Sequence, residues 1–301
     1  MLYGALETGG SRTICAVGDE SGQVLEKEVI ITSTPDETMA KVLEYFRAKL
    51  EVPEGEEAIC ALGVGSFGPV DVRKHSKTYG NVLNTPKIAW RNYPIVQTLK
   101  DALNIPVGLD TDVNAALLGE VVWGAAKGLS DAVYIKIGAG IGMGAMSGGH
   151  LIHGMLHPEI GHIKMVRVEG DTYKGHCPNH GACFEGMACG PAIHDRWGKS
   201  PKELADNAQV WEFEARYISQ ALTAVTLMLS PQKIILGGGV MHQAKLFPLI
   251  RKYLLEEINN YIDTKELRNI DSYVVPAALN DNQGIMGALK LAEIAATDAA
   301  K

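Results

Sequence analysis

Residues 131–152 read DAVYIKIGAGIGMGAMSGGHLI. An apolar stretch, Ala132–Ile137, runs into Gly138, Gly140, Gly142 and Gly144, and a second apolar stretch follows. Strand, glycine turn, strand is the reading this pattern supports. The same plan opens the chain. In MLYGALETGGSRTICAVGDESGQVLEKEVI (residues 1–30), LYGAL and TICAVGD predict strands joined by ETGGSR, with a third strand from about Val24 to Ile31. PDETMAKVLEYFRAKL sets Met39, Val42, Leu43 and Phe46 at helical spacing behind Asp36 and Glu37. AICALGVGSFG predicts a buried strand, NYPIVQTLKDAL a helix, and PVGLDTDVNAALLGEVVWGAA a short strand entering an alanine-rich helix. After the second hairpin, WEFEARYISQALTAVTLMLSP predicts a long helix and KIILGGGV a strand entering glycines. The sequence therefore predicts an α/β protein with a duplicated domain plan. Residues 1–113 are expected to form the first domain and 114–283 the second, with a final helix at about 284–299 packing back on the first.

Composition narrows the function classes. A chain of 301 residues with 46% hydrophobic and 21% charged residues can bury two ordinary cores. A formal net charge of -7 argues against nucleic acid or an anionic membrane as partner. No apolar run nears the ~20 residues that span a bilayer. MLYGALETGG lacks a basic region followed by an apolar segment, so no signal peptide is predicted and the cytoplasm is the expected location. The five cysteines, Cys15, Cys60, Cys177, Cys183 and Cys189, form no regular disulfide framework.

Three glycine turns follow predicted strands: Gly9-Gly10, Gly138 through Gly144, and Gly237-Gly238-Gly239. Glycine permits positive φ and lets a phosphate approach bare amide N–H groups. Any one of them is equally a tight turn and nothing more, but three in a duplicated plan point to a nucleotide. Neither a Walker loop nor a dinucleotide fingerprint is present.

ETGGSR, GLDTDVNAALLGE, IGAGIGMG, HPEIGH, the CPNHGAC stretch and KIILGGGV occur in the order and spacing of the ROK sugar kinases, which the chain resembles over its whole length. GSFGPVDV with YGNVLNTPKIAW is similar to the fructokinase branch. The resemblance implies the actin-like ATPase (ribonuclease H-like) fold with a cleft between its halves. It also implies ATP with catalytic Mg²⁺, a hexose substrate and a homodimer. Asp112 matches the family's catalytic base and Asn114 its sugar-binding asparagine; Asn84, Glu159 and His162 match further sugar contacts. The nucleotide falls to Gly9, Gly10, Ser11, Arg12, Gly138, Ala139, Gly140, Gly190, Pro191, Gly237, Gly238 and Gly239.

Read from the residues alone, Asp112 fits two roles. A carboxylate at a strand end can accept a proton from a hydroxyl, and it can equally cap the helix VNAALLGEVV. The resemblance favours the base, and Asp110 is expected to support it. The metal ligands are expected to be His162, Cys177, His180 and Cys183, because two thiolates and two imidazoles suit tetrahedral Zn²⁺. Four protein ligands make such a zinc structural, fixing the loop that presents Glu159 and His162. The other reading is surface histidines with buried free thiols. His176 is a competing ligand, and Cys189 is expected to belong with ACGPAI near the nucleotide.

The chain departs from the family pattern at Ser11-Arg12, where Thr-Lys is common, and at Lys136 and Ala139, where threonine is common. Phosphorylation of the 6-hydroxyl of D-fructose is the expected activity. Glucose, mannose or an N-acetylhexosamine is the alternative substrate, and a non-catalytic sugar sensor the alternative protein.

Overall fold

A computed structural model describes residues 1–301. The chain divides into two compact units, each with its own five-stranded sheet. Unit 1 comprises Met1–Lys127, Ile152–His157 and Asn282–Lys301; unit 2 comprises Gly128–Leu151 and Pro158–Asp281.

Unit 1 begins with β1 (Leu2–Thr8), β2 (Arg12–Asp19) and β3 (Val24–Ile31), as the apolar stretches and the glycine turn predict. α1 (Pro35–Ala48) starts where Thr34 Oγ1 accepts a hydrogen bond from the Glu37 amide, and it buries Met39, Val42 and Phe46. β4 (Ile59–Ser66), α2 (Ile95–Leu103), β5 (Val107–Thr111) and α3 (Asp112–Val122) follow. The sheet order is β3-β2-β1-β4-β5. β1 runs antiparallel to β2 and β2 to β3, while β1–β4 and β4–β5 are parallel. The core on one face gathers Phe46, Leu62, Val64, Trp90 and Leu99, all nearly inaccessible to water.

Unit 2 repeats this scheme. It holds β6 (Ala132–Ile137), β7 (Ile141–Ser147), β8 (His150–Leu151), α4 (Phe184–Ala188), α5 (Gly190–Trp197), α6 (Ala208–Leu229) and β9 (Lys233–Gly237). α7 (Leu246–Ile258), α8 (Lys265–Arg268), α9 (Ile270–Tyr273) and β10 (Val274–Pro276) complete it. The order is β8-β7-β6-β9-β10, with β6–β7 and β7–β8 antiparallel and β6–β9 and β9–β10 parallel. Strand for strand, the two sheets share one order and one set of directions, which is the duplication anticipated from the glycine hairpins. The segments from α7 to β10 carry no prediction in the sequence reading.

α10 (Gln283–Ala299) then completes unit 1 by packing on α3, β4 and β1. The approach is backbone on backbone. A Cβ at Gly63 would collide with the Ala288 carbonyl oxygen, and one at Gly287 with that of Ala115. Around these glycines Tyr3, Ala5, Ala16 and Ala61 meet Ile285, Ala288, Leu289 and Ala292 in a sealed seam. Each fully buried Ile or Leu there contributes about 1.5–3 kcal/mol. The boundary expected near residue 113 falls at the start of α3, a helix that belongs to unit 1 because α10 lies along it. The short segment Ile152–His157 is also part of unit 1, where the Val70 amide donates to His157 Nε2 at 3.2 Å.

Candidate active site and metal centre

The parallel strands of unit 1 end in polar residues. Asp110, on β5, is 3% exposed. Its Oδ1 accepts from the Thr111 amide at 2.8 Å and from Asn114 Nδ2 at 2.7 Å. Its Oδ2 lies 2.9 Å from His153 Nε2. A carboxylate only accepts hydrogen bonds, so Asn114 must turn its NH₂ toward Asp110 and its Oδ1 elsewhere. Donation of a hydrogen bond from Nε2 to Asp110 raises the His153 pKa above its ordinary value, outweighing the burial that opposes it.

The strand stops at Thr111, not at residue 112, and Thr111 is the helix cap. Its Oγ1 accepts from the Asn114 amide at 3.1 Å. Asp112 is therefore the first residue of α3, partly exposed, in the place where the helix dipole favours a negative charge. Of the two roles the sequence left open for Asp112, the capping one belongs to its neighbour.

Asn84 is exposed on a segment tied down by the Leu83 amide on the Pro69 carbonyl at 2.7 Å and by Arg91 Nε on the Thr85 carbonyl at 2.8 Å. Three residues on, Lys87 Nζ donates to the Gly10 carbonyl in the first glycine turn. Gly10, Ser11 and Arg12 are exposed. A lysine beside that turn was not singled out from the sequence; its position in NTPKIAW, distant from the turn along the chain, gives no signal.

In unit 2 the remaining glycine segments converge. The Gly138 amide donates to the Gly140 carbonyl at 2.9 Å, and the Gly190 amide to the Gly138 carbonyl at 2.8 Å. A Cβ on Gly138 would lie 3.9 Å from the Gly239 amide nitrogen. Gly238 takes φ +90° with Ile137 backbone beneath it, a place where no side chain fits. The second turn, the third turn and the N-terminus of α5 at Gly190-Pro191 thus lie together, joined through the Gly138 and Gly190 backbone. Ala139 is exposed at the tip of its turn. Glu185, which the sequence reading passed over, accepts from the Ile141 amide through Oε2 at 2.9 Å and buttresses this turn.

His162, Cys177, His180 and Cys183 offer four ligand atoms that all lie within 4.8 Å of one another. Cys177 Sγ is 4.0 Å from His162 Nδ1 and 3.6 Å from His180 Nδ1, and Cys183 Sγ is 3.8 Å from His162 Nδ1. Metal–ligand bonds of about 2.3 Å to sulfur and 2.0–2.1 Å to nitrogen, placed tetrahedrally, give edges of about 3.4–3.8 Å. The four side chains fit a single ion. His176 does not join them: its Nδ1 faces Asp195 Oδ2 at 3.2 Å. Cys189 stands apart as the residue before α5, buried, its thiol pushed up to about 12 by that burial.

The loop holding His162 is pinned from several sides. The His162 amide donates to the Glu159 carbonyl at 3.1 Å, closing a single turn over Ile160–His162, and the Phe184 amide donates to the Ile163 carbonyl at 2.9 Å. Gly161 sits directly under the Ile141 carbonyl, leaving no room for a side chain. Glu159 is exposed at the start of this turn.

The sequence model of the ROK family matches residues 3–295. "Putative fructokinase" of Bacillus subtilis (strain 168) is 50% identical over 292 residues, covering 97% of this chain and 95% of that protein. "Fructokinase" of Pediococcus pentosaceus is 42% identical over 299 residues, covering 99% of this chain and 100% of that protein. Among solved structures, a ROK family glucokinase from Streptomyces griseus in complex with glucose and AMPPNP superposes with a TM-score of 0.75 at 24% identity, over 98% of this chain and 100% of that one. At that identity the likeness speaks for the fold, the two-domain actin-like architecture. No helix of the chain is long and apolar enough to cross a membrane.

Proposed function

The chain belongs to the ROK family, and from that premise we propose that it is an ATP-dependent hexose kinase acting on the 6-hydroxyl of D-fructose. The fructose assignment is supported by full-length relatives named for fructokinase at 42% and 38% identity. The observation that carries the chemistry is the end of β5. Asp110, Thr111 and Asn114 bond to one another and leave Asp112 on the first turn of α3, with the capping role already filled.

In this reading Asp112 is the general base that accepts the hydroxyl proton as the sugar oxygen attacks phosphorus. Asn114, Asn84, Glu159 and His162 bind sugar hydroxyls. MgATP supplies the phosphoryl group. Gly9, Gly10, Ser11 and Arg12 in unit 1, and Gly138, Ala139, Gly140, Gly190, Pro191, Gly237, Gly238 and Gly239 in unit 2, bind the nucleotide. The proximity of the Gly138, Gly190 and Gly239 segments supports the second of these groups. The ion at His162, Cys177, His180 and Cys183 is Zn²⁺ in a structural role, because all four positions come from the protein. A homodimer rests on the family resemblance and is tested by light scattering.

The deciding experiment is ADP release with MgATP against fructose, mannose, glucose and N-acetylglucosamine. Fructose-dependent turnover is expected to dominate. A different preferred hexose would move the substrate and keep the mechanism. Silence with all four, from folded and metal-replete protein, would end the kinase reading.

A further inference from the structure

We propose that His153 is a positioning residue for Asn114, acting through Asp110, and that it sets the affinity for the hexose; this rests on the hexose-kinase reading above. Asp110 is buried, and its two oxygens receive three donors. Oδ1 takes the Thr111 amide and Asn114 Nδ2, at 2.8 and 2.7 Å, and Oδ2 takes His153 Nε2, at 2.9 Å. Because the carboxylate cannot donate, Nε2 must carry a hydrogen. The 3.3 Å approach of Asn114 Nδ2 to that nitrogen is then a contact between two donors converging on one anion, not a bond between them.

The arrangement fixes the amide of Asn114. With both Asp110 oxygens committed, rotation of the carboxylate breaks a hydrogen bond, and a flip of the asparagine would set its carbonyl oxygen against an anion. Asn114, itself fully buried, is therefore held with its amide in one orientation. Removing the His153 donor leaves a buried carboxylate oxygen unsatisfied, frees Asp110 to turn and lets the asparagine lose its set. His153 arrives from a separate stretch, Ile152–His157, held in unit 1 a second time by the Val70 amide on His157. Its side chain keeps 34% of its surface exposed, so it supports Asn114 from the rim of the pair and not from a sealed core.

The test is steady-state kinetics with fructose and MgATP varied separately, on two substitutions. His153→Gln places an amide donor at about the reach of Nε2. His153→Phe keeps a ring and removes the donor. Expected is a rise of about tenfold in the fructose KM of His153→Phe, the loss of one hydrogen bond to a charged group, with the ATP KM unmoved and His153→Gln close to wild type. If the phenylalanine protein does not fold, His153→Ala takes its place, and added imidazole should restore its fructose KM. The inference falls if a folded His153→Phe keeps the wild-type fructose KM. It falls also if both KM values rise together with a lowered melting temperature, or if His153→Gln is as damaged as His153→Phe. A wild-type protein without hexose-dependent turnover removes the underlying reading instead, and is told apart by that.

Discussion

In unit 1 the link from the third strand to the fourth runs from Ile31 to Ile59 and holds a single helix, α1. In unit 2 the equivalent link runs from Leu151 to Lys233 and carries the cysteine–histidine group, α4, α5 and α6. The sheets have kept one topology while the chain between equivalent strands has been put to different uses. α1 needs no help, since its apolar stripe buries Met39, Val42 and Phe46 against the sheet. Much of the stretch from Lys164 to Gly181 is exposed, and it has no long helix of its own. A segment that buries so little would gain order from a crosslink, and four convergent side chains stand where a bound ion would supply one. A similar contrast holds at the glycine turns. Unit 1 sets its turn beside a lysine, Lys87, whereas unit 2 brings three glycine segments together through backbone contacts.

The largest effect expected from breaking this contrast is in unit 1. Asp112→Asn should lower kcat by about 10²–10⁴-fold, the usual worth of a general base, while the melting temperature stays put because Thr111 holds the cap. Thr111→Ala should do the reverse to stability, costing about 1 kcal/mol. Retention of full turnover by Asp112→Asn would remove the base assignment. In unit 2 the counterpart is the proposed zinc. Stripping it with a chelator, or replacing a ligand by Cys177→Ser, should cost several kcal/mol and lower the melting temperature. Cys60→Ser, at an exposed thiol outside the group, should not. Elemental analysis should find one zinc per chain, and an unmoved melting curve after chelation would return these side chains to ordinary thiols and imidazoles.

A further substitution bears on how α10 closes unit 1. Gly63→Ala puts a methyl group into the Ala288 carbonyl and must push α10 off β4, so a loss of about 3 kcal/mol is expected by chemical denaturation. Gly55→Ala is the control at an open site, though its φ of +95° charges about 1 kcal/mol on its own. A Gly63→Ala protein as stable as wild type would mean that α10 floats on the sheet.

These positions also mark how far the sequence could be read. The hairpins were legible because apolar stretches stop at glycines, and the ligand group because Cys177, His180 and Cys183 are three residues apart. Thr111 shows a local limit: three polar residues, Asp110, Thr111 and Asp112, stand at the strand end, and only the backbone turn decides which one caps. His153 and Asp110 show the wider one. They meet from 43 residues apart, and nothing in HLIHGM distinguishes a histidine that will face a buried carboxylate. Gly63 reads as a neutral strand residue until Ala288 is placed against it. Glu185 likewise acquires its role only when Ile141 folds over it. β10, with three residues, is too short for periodicity to announce.

The smallest effect expected separates two buried carboxylates. Asp71 of unit 1 is enclosed yet answered by Arg73 Nε and Nη2 at 2.9 Å, Ser76 Oγ at 2.6 Å and Thr78 Oγ1 at 2.7 Å. The Arg73 guanidinium, foremost among these, holds its carboxyl well below the usual range. Glu214 of unit 2 is as buried, but neither carboxylate oxygen has a hydrogen-bond partner. Burial pushes it from 4.5 up to about 8, against the pull of the Arg196 guanidinium. The signs are therefore opposite. Asp71 lends stability that is lost in acid, as pH falls through the carboxylate range. Glu214 is protonated in the fold and ionised in the unfolded chain, so stability is full below about 4.5 and is lost as pH rises toward 8. Glu214→Gln keeps the shape and abolishes the charge. It should be more stable than wild type by about 1–3 kcal/mol at neutral pH, an advantage that shrinks to nothing near pH 4.5. Urea melts of the two proteins across that range decide the matter. An advantage that does not grow with pH, or a glutamine protein weaker than wild type throughout, would mean that Glu214 is ionised against Arg196 in the fold, and that both units satisfy their buried carboxylates in the same way.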